Sequence, residues 1–171
     1  MKEKNIIIID DFFNEKEFNI LLNNLTKIKF NHNQNGPDNT YGFGHGFTPD
    51  KTNKWLFDKI KNKFFKNKNL NPTDCSFRLR HNKHKVLAHQ DHHVDYLFLC
   101  FLKGEELMYN GTGFYNNNKK LDRYIGFKQN RAIFFDSHIY HTDLQALGES
   151  SPRYSLNIFY EKELKWQQIK K

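Results

Sequence analysis

The chain has 171 residues, a length that fits one domain with one core and leaves no room for a separate substrate-recognition domain of ordinary size. Hydrophobic residues make up 37% and aromatics 16%, with 17 Phe, which excludes a disordered chain and points to a Phe-rich core. A formal charge of +8 invites a polyanion such as nucleic acid, but 21 Asn beside many Lys, Ile, Phe and Tyr is also what an AT-biased genome encodes, so charge alone does not favour that partner.

In chain order, Ile6–Ile9 predicts a short buried strand. Four isoleucines are too few for the apolar region of a signal peptide, and no apolar run approaches the ~18 residues of a membrane span. Asn14 with Glu17 three residues later forms a capping-box pattern, and Phe18, Leu21, Leu22, Leu25 and Ile28 recur at helical spacing. Together they predict a helix over 15–27. Residues 31–50 are polar and Gly-rich, a long loop and a candidate lid whose bland alternative is a plain surface loop. A second helix is expected over 52–66, with Trp55, Leu56, Ile60 and Phe64 on one side and lysines on a solvated face.

From residue 74 the pattern changes to short β-branched and aromatic runs between turns: 75–79, 85–89, 96–102, 113–115, 123–127, 132–135, 139–142 and 154–160. About eight strands at this spacing predict a mainly β domain, a sandwich or a jelly roll, with the helices braced on one face. No internal repeat or domain boundary interrupts residues 1–171. Cys75 and Cys100 form no CxxC pair, so a reducing cytoplasm is the expected setting, with Cys100 a small buried hydrophobe in its apolar run.

The residues with chemical potential are His89 and Asp91, His141, and Arg153. At the end of a strand, residues two apart project to one face, so His89 and Asp91 can bite one metal together. Two histidines and one carboxylate suit a divalent iron with open positions. The tripeptide alone is weak evidence: His93-Val94-Asp95 repeats it, and His138 lies near His141. Each residue also has an ordinary role available. His89 fits a turn, Asp91 a turn cap and His141 a satisfied core histidine, while Arg153 has Asp136 and Glu149 as ion-pair partners.

In order and spacing these segments resemble the iron(II)- and 2-oxoglutarate-dependent dioxygenases, the prolyl 4-hydroxylase-like group in particular. Residues 88–91 with Asp95, Tyr96 and the strand to Leu102 resemble that family's metal-binding segment. Gly111-Thr112-Gly113-Phe114-Tyr115 is similar to its Gly-rich strand, residues 128–136 to the strand before the distal histidine, and Arg153-Tyr154-Ser155-Leu156-Asn157 to the closing strand. The resemblance covers about residues 75–161. It implies a double-stranded β-helix, a cupin-like jelly-roll core over 74–161 supported by helical residues 1–70. It also implies Fe(II) on His89, Asp91 and His141, with 2-oxoglutarate and O2 as cosubstrates. Arg153 would take the distal carboxylate of 2-oxoglutarate and Ser155, on the same strand face, would add a hydroxyl hydrogen bond. The gap between Asp91 and Tyr96 favours His89 and Asp91 over His93 and Asp95, and the separation from Arg153 favours His141 over His138.

The implied reaction is hydroxylation of a C–H bond in a protein or peptide side chain, prolyl-type, or in a small molecule, with succinate and CO2 as coproducts. A nucleic-acid demethylase of the same chemistry is the alternative, but that branch carries a second arginine and residues 153–161 contain none. A zinc hydrolase or a non-catalytic cupin-like binding module would have no use for Arg153. The presence of Asp91 separates the chain from the related halogenases. One departure stands out: the family often has a tyrosine on the strand before the metal-binding pair, where this chain reads Arg78-Leu79-Arg80-His81. Arg80 and His81 are the candidates to replace it.

Overall fold

The structure, a computed structural model, describes residues 5–30, 32–33, 43–66, 68–80, 87–107, 110–143 and 152–162. Its elements are β1 (Ile6–Ile9), α1 (Glu15–Lys27), β2 (His32–Asn33), β3 (Phe43–Gly46), α2 (Lys54–Phe64), β4 (Leu70–Arg80), β5 (Tyr96–Lys103), β6 (Thr112–Tyr115), β7 (Leu121–Ile125), β8 (Ala132–Asp136), β9 (Tyr140–Asp143) and β10 (Arg153–Lys162). No described helix is long and apolar enough to cross a membrane.

The start of α1 is fixed by its cap. The Asn14 side chain accepts from the Glu17 amide, and the Glu17 carboxylate accepts from the Asn14 amide, each at 2.9 Å. Two orphan donors are thereby satisfied. Phe18, Leu21 and Leu25 form the buried stripe of α1. In α2 the buried residues are Leu56 and Ile60, and Lys59 reaches across to Glu17 at 2.5 Å, tying the two helices together. The helix is shorter than the expected 52–66 because the Asp50 carboxylate takes the amides of Thr52 and Asn53 in a turn ahead of it.

Seven strands form one antiparallel sheet in the order β1-β8-β5-β10-β4-β3-β2, and β7-β6-β9 form a second. This is the jelly roll that the resemblance implied. Strand periodicity puts alternate residues of the large sheet on opposite faces. Phe98, Cys100 and Leu102 of β5, Phe134 of β8, and Leu156, Ile158 and Tyr160 of β10 join Phe12, Phe13, Phe18, Leu21, Leu56 and Ile60 in one core under the helices. The interleaved Leu97, Leu99, Phe101, Ile133, Phe135 and Phe159 join Phe114 and Ile125 of the small sheet in a second core. The site opens into this inner layer.

Two expectations change. Residues 31–50 are not wholly a loop: β2 and β3 lie within them, and β3 pairs with β4, Phe43 opposite Leu79. Backbone pairing with an open sheet edge, rather than side-chain pattern, makes these residues strands. Of the candidate lid, 31–50, residue 31 and residues 34–42 lie outside the described residues, as do His81 and His84. No regular strand covers 87–89 either; His89 makes a single bridge to His141.

Candidate metal centre

That bridge assembles the site. The His89 and His141 backbones exchange both hydrogen bonds, at 3.0 and 2.9 Å, which joins the segment after β4 to β9 of the small sheet. The Asp91 amide donates to the Ser137 carbonyl at 3.0 Å, setting the third residue against the turn before β9. One ligand atom from each of His89, Asp91 and His141 then lies within 4.8 Å of the other two. His141 Nε2 is 3.3 Å from Asp91 Oδ2, and His89 Nε2 is 3.8 Å from Asp91 Oδ1.

Both imidazoles are oriented by the chain itself. His89 Nδ1 pairs with the Leu87 carbonyl and His141 Nδ1 with the Ile139 carbonyl, each at 2.9 Å. A carbonyl only accepts, so each ring holds its proton on Nδ1 and presents the Nε2 lone pair. Burial, reinforced by the neighbouring His141, holds His89 below the ordinary histidine value, which keeps it neutral as a ligand must be. Burial alone would raise Asp91, but the combined pull of His141, His89 and Arg78 beside it outweighs this and the carboxylate is held below its ordinary value. Phe135 and Phe114 close around the His141 ring, with centroids 4.9 and 6.4 Å away.

The competing residues are elsewhere engaged. Asp95 accepts from the Lys162 amide and ammonium at 2.8 and 2.7 Å, and His93 is exposed beside Phe159. His138 turns its Nδ1 to Asp136 at 3.1 Å.

Beside the three ligand atoms is a cavity of about 40 Å³ lined by Arg78, Arg80, Leu97, Leu99, Asp143 and Asn157, among others. Arg153 is 2% exposed and is not paired with Asp136, while Glu149, the other partner anticipated from sequence, lies outside the described residues. Its guanidinium donates to Asp143 and to the Gly111 carbonyl, both at 2.5 Å. Arg80 sits opposite Arg153 in the β4–β10 register and donates to the other oxygen of Asp143 at 2.7 Å. Burial works against this carboxylate, but the charges of Arg153 and Arg80 hold it far below the usual range. Arg78 lies 5.1 Å over the Phe159 ring, and burial together with the charge of Arg80 lowers it to about 10. Two donors of the cluster, Arg80 Nη1 and Arg153 Nε, are buried without a partner among the described residues. Ser155 is buried on the same face as Arg153, but its hydroxyl donates to Asn157 Oδ1 at 2.8 Å.

Gly111 supports Arg153 for a steric reason. A Cβ there would fall 2.1 Å from the Ile125 carbonyl oxygen, so only glycine lets the backbone approach β7 and offer its carbonyl to the guanidinium.

Sequence reasoning thus named the three residues that converge here and Arg153, but did not assign Arg78, Arg80 or Asp143. The signal was present. Asp143 follows His141 by two on a strand, as Asp91 follows His89, and Arg78 and Arg80 alternate in the same way.

No protein-family model matches the chain and no curated protein matches it. Solved structures do. A 2OG-Fe(II) oxygenase family oxidoreductase from Burkholderia pseudomallei is similar with a TM-score of 0.69 at 10% identity, covering 92% of this chain and 84% of the other. A Trichoplax adhaerens prolyl hydroxylase in complex with a hypoxia inducible factor peptide fragment gives 0.70 at 15% identity, covering 92% and 83%. A Pseudomonas putida prolyl-4-hydroxylase gives 0.67 at 12% identity, covering 94% of each chain. The fold is the one these 2OG-Fe(II) oxygenases share.

Proposed function

We propose that the chain is an iron(II)- and 2-oxoglutarate-dependent dioxygenase that hydroxylates a C–H bond of a protein or peptide side chain, prolyl-type, in a reducing cytoplasm. The observation that carries this is the convergence of His89, Asp91 and His141 beside a buried arginine cluster in a shared oxygenase fold. The donor set fits the metal: two imidazole Nε2 atoms and one carboxylate on one face are what a divalent iron takes while keeping positions open. The unpartnered Arg80 Nη1 and Arg153 Nε fit an anionic cosubstrate, since a buried guanidinium donor without an acceptor is costly.

With 2-oxoglutarate and O2, the iron would supply the oxidation, giving succinate, CO2 and a hydroxylated substrate. The remaining roles belong to the chain. Leu97, Leu99 and Phe159 line the cavity with apolar surface and restrict water. Arg80 and Arg153 would orient the distal carboxylate by charge-assisted hydrogen bonds. The Leu87 and Ile139 carbonyls fix the imidazoles, so the ligand face is formed before the metal arrives. A peptide substrate is supported by the peptide fragment bound to the Trichoplax prolyl hydroxylase. Two buried free thiols, Cys75 and Cys100, suit a reducing compartment.

The test is an anaerobic titration with Fe(II) and then 2-oxoglutarate, followed by the visible charge-transfer band. A band that disappears on admitting O2, with succinate formed, supports the reading. Iron binding without any effect of 2-oxoglutarate would leave a metal site of another function, and binding of neither would leave a non-catalytic module. Arg153→Ala is expected to weaken 2-oxoglutarate at least about ten-fold while leaving iron affinity in place; equal loss of both would make Arg153 structural.

A further inference from the structure

Asp143 has no place in the reading above, and its surroundings are unusual. It follows His141 by two residues on β9, so both point to one face. Its two oxygens are held by two arginines that face each other across β4 and β10. The cavity beside it holds about 40 Å³. Arg80 Nε and Arg153 Nη2 are both taken by Asp143, which lines this cavity, so a ligand carboxylate that is to use them has to displace it.

We propose that Asp143 is a specificity-determining residue whose carboxylate holds the subsite formed by Arg80 and Arg153, and that an incoming ligand carboxylate takes this subsite by displacing it. The donor inventory agrees. Arg80 Nη1 and Arg153 Nε are left over when Asp143 is bound, so the pair has more hydrogen-bonding capacity than its present occupant uses. The charges agree as well. Arg80 and Arg153 together with Asp143 sum to a single positive charge, and loss of the carboxylate would leave two adjacent buried cations in need of an anion. Arg80, on the strand that lacks the tyrosine, is then one of two cations that hold a carboxylate. Only the identity of the ligand rests on the oxygenase reading.

A consequence for selectivity follows. Displacing Asp143 is worthwhile only for a ligand that brings its own carboxylate. In the wild type the competition blunts the preference for 2-oxoglutarate over 2-oxopentanoate, which has the same chain and no distal carboxylate. Asp143→Asn removes the competing charge and sharpens that preference.

The experiment compares wild type, Asp143→Asn and Asp143→Glu, each loaded with Fe(II) under anaerobic conditions and titrated with 2-oxoglutarate and with 2-oxopentanoate. Asp143→Asn is expected to bind 2-oxoglutarate about ten-fold tighter, with 2-oxopentanoate unchanged, and Asp143→Glu to bind no tighter than wild type. Thermal unfolding of the metal-free proteins in glutarate gives a second readout: the Asn variant should be stabilised more than wild type. If Asp143→Asn binds 2-oxoglutarate equally or more weakly and gains nothing from glutarate, Asp143 is a fixed scaffold for the arginines and the proposal fails. If no variant binds 2-oxoglutarate with iron while glutarate still stabilises Asp143→Asn, the subsite stands and the cosubstrate reading falls.

Discussion

On β10, Leu156, Ile158 and Tyr160 point to the helices and are buried among phenylalanines, while the interleaved Arg153, Ser155 and Asn157 point the other way and are buried among polar groups. Both sets are almost fully removed from water, yet burial serves different ends on the two faces. On the helix side it is the source of stability, because each large apolar side chain contributes about 1.5–3 kcal/mol when taken out of water. On the inner side burial strengthens charge interactions, so it must be offset by pairing, here through Asp143 with Arg80 and Arg153. A single strand supplies both environments because its side chains alternate, and a shift of one residue in register would exchange them.

The contrast can be broken most completely on the inner face. Asp91→Ala is expected to abolish iron binding, a loss of at least about a hundred-fold in affinity, with little change in the unfolding midpoint of the metal-free protein. Equilibrium titration with Fe(II) checks this, and retained tight binding would move the assignment to Asp95. The helix face should respond in the opposite sense. Phe98 is fully buried against the rings of Phe12, Phe13 and Phe64. Phe98→Ala should cost about 3–5 kcal/mol in denaturant unfolding, while the fraction that remains folded binds iron as wild type does.

Gly111→Ala acts between the two regimes. The added methyl meets the Ile125 carbonyl, so stability should fall by about 1–3 kcal/mol. The strain also moves the carbonyl that holds Arg153, so 2-oxoglutarate affinity should drop more than iron affinity, measured side by side. The smallest effect lies at the surface, where Asp10 accepts from Arg131 at 2.6 and 3.0 Å and from Lys128 at 3.2 Å. Its carboxyl is lowered to about 2, chiefly by the Arg131 hydrogen bond, with burial opposing. A depressed carboxyl stabilises the fold above its unfolded value of about 4, and that contribution is lost as pH falls through about 2. Asp10→Asn should therefore cost about 0.5 kcal/mol at neutral pH, given the exposure of the pair, and nothing near pH 2. Unfolding curves of both proteins across this range test the sign.

Much of the scaffold was legible because it rests on local periodicity. The capping box and the spacing of Phe18, Leu21 and Leu25 placed α1 at the residues it occupies; four isoleucines placed β1 but not its burial, because β1 lies at the edge of the large sheet with Ile7 and Ile8 exposed. The pair His89 and Asp91 was legible from its spacing, but no strand end delivers it: His89 makes a single bridge to His141 and the Asp91 amide is held by the Ser137 carbonyl. β2 and β3 were not legible. Their residues carry no alternating pattern, and they are strands because an edge of β4 accepts the backbone of β3 and β3 in turn that of β2.

What the sequence by itself determined, then, is the conformation of the elements with a strong local pattern, α1 above all, and the side chains that their periodicity throws to one side. What only the tertiary structure decided is who meets whom across the sheets. Arg153 has Asp136, Asp143 and Glu149 within a short stretch of chain, and no local rule ranks them. Asp143 meets it because β9 is brought to the inner face of the large sheet, where the Arg80 guanidinium lies opposite. Such meetings depend on long chain closures and on burial shared by many strands, a cooperative quantity that no short window of residues contains.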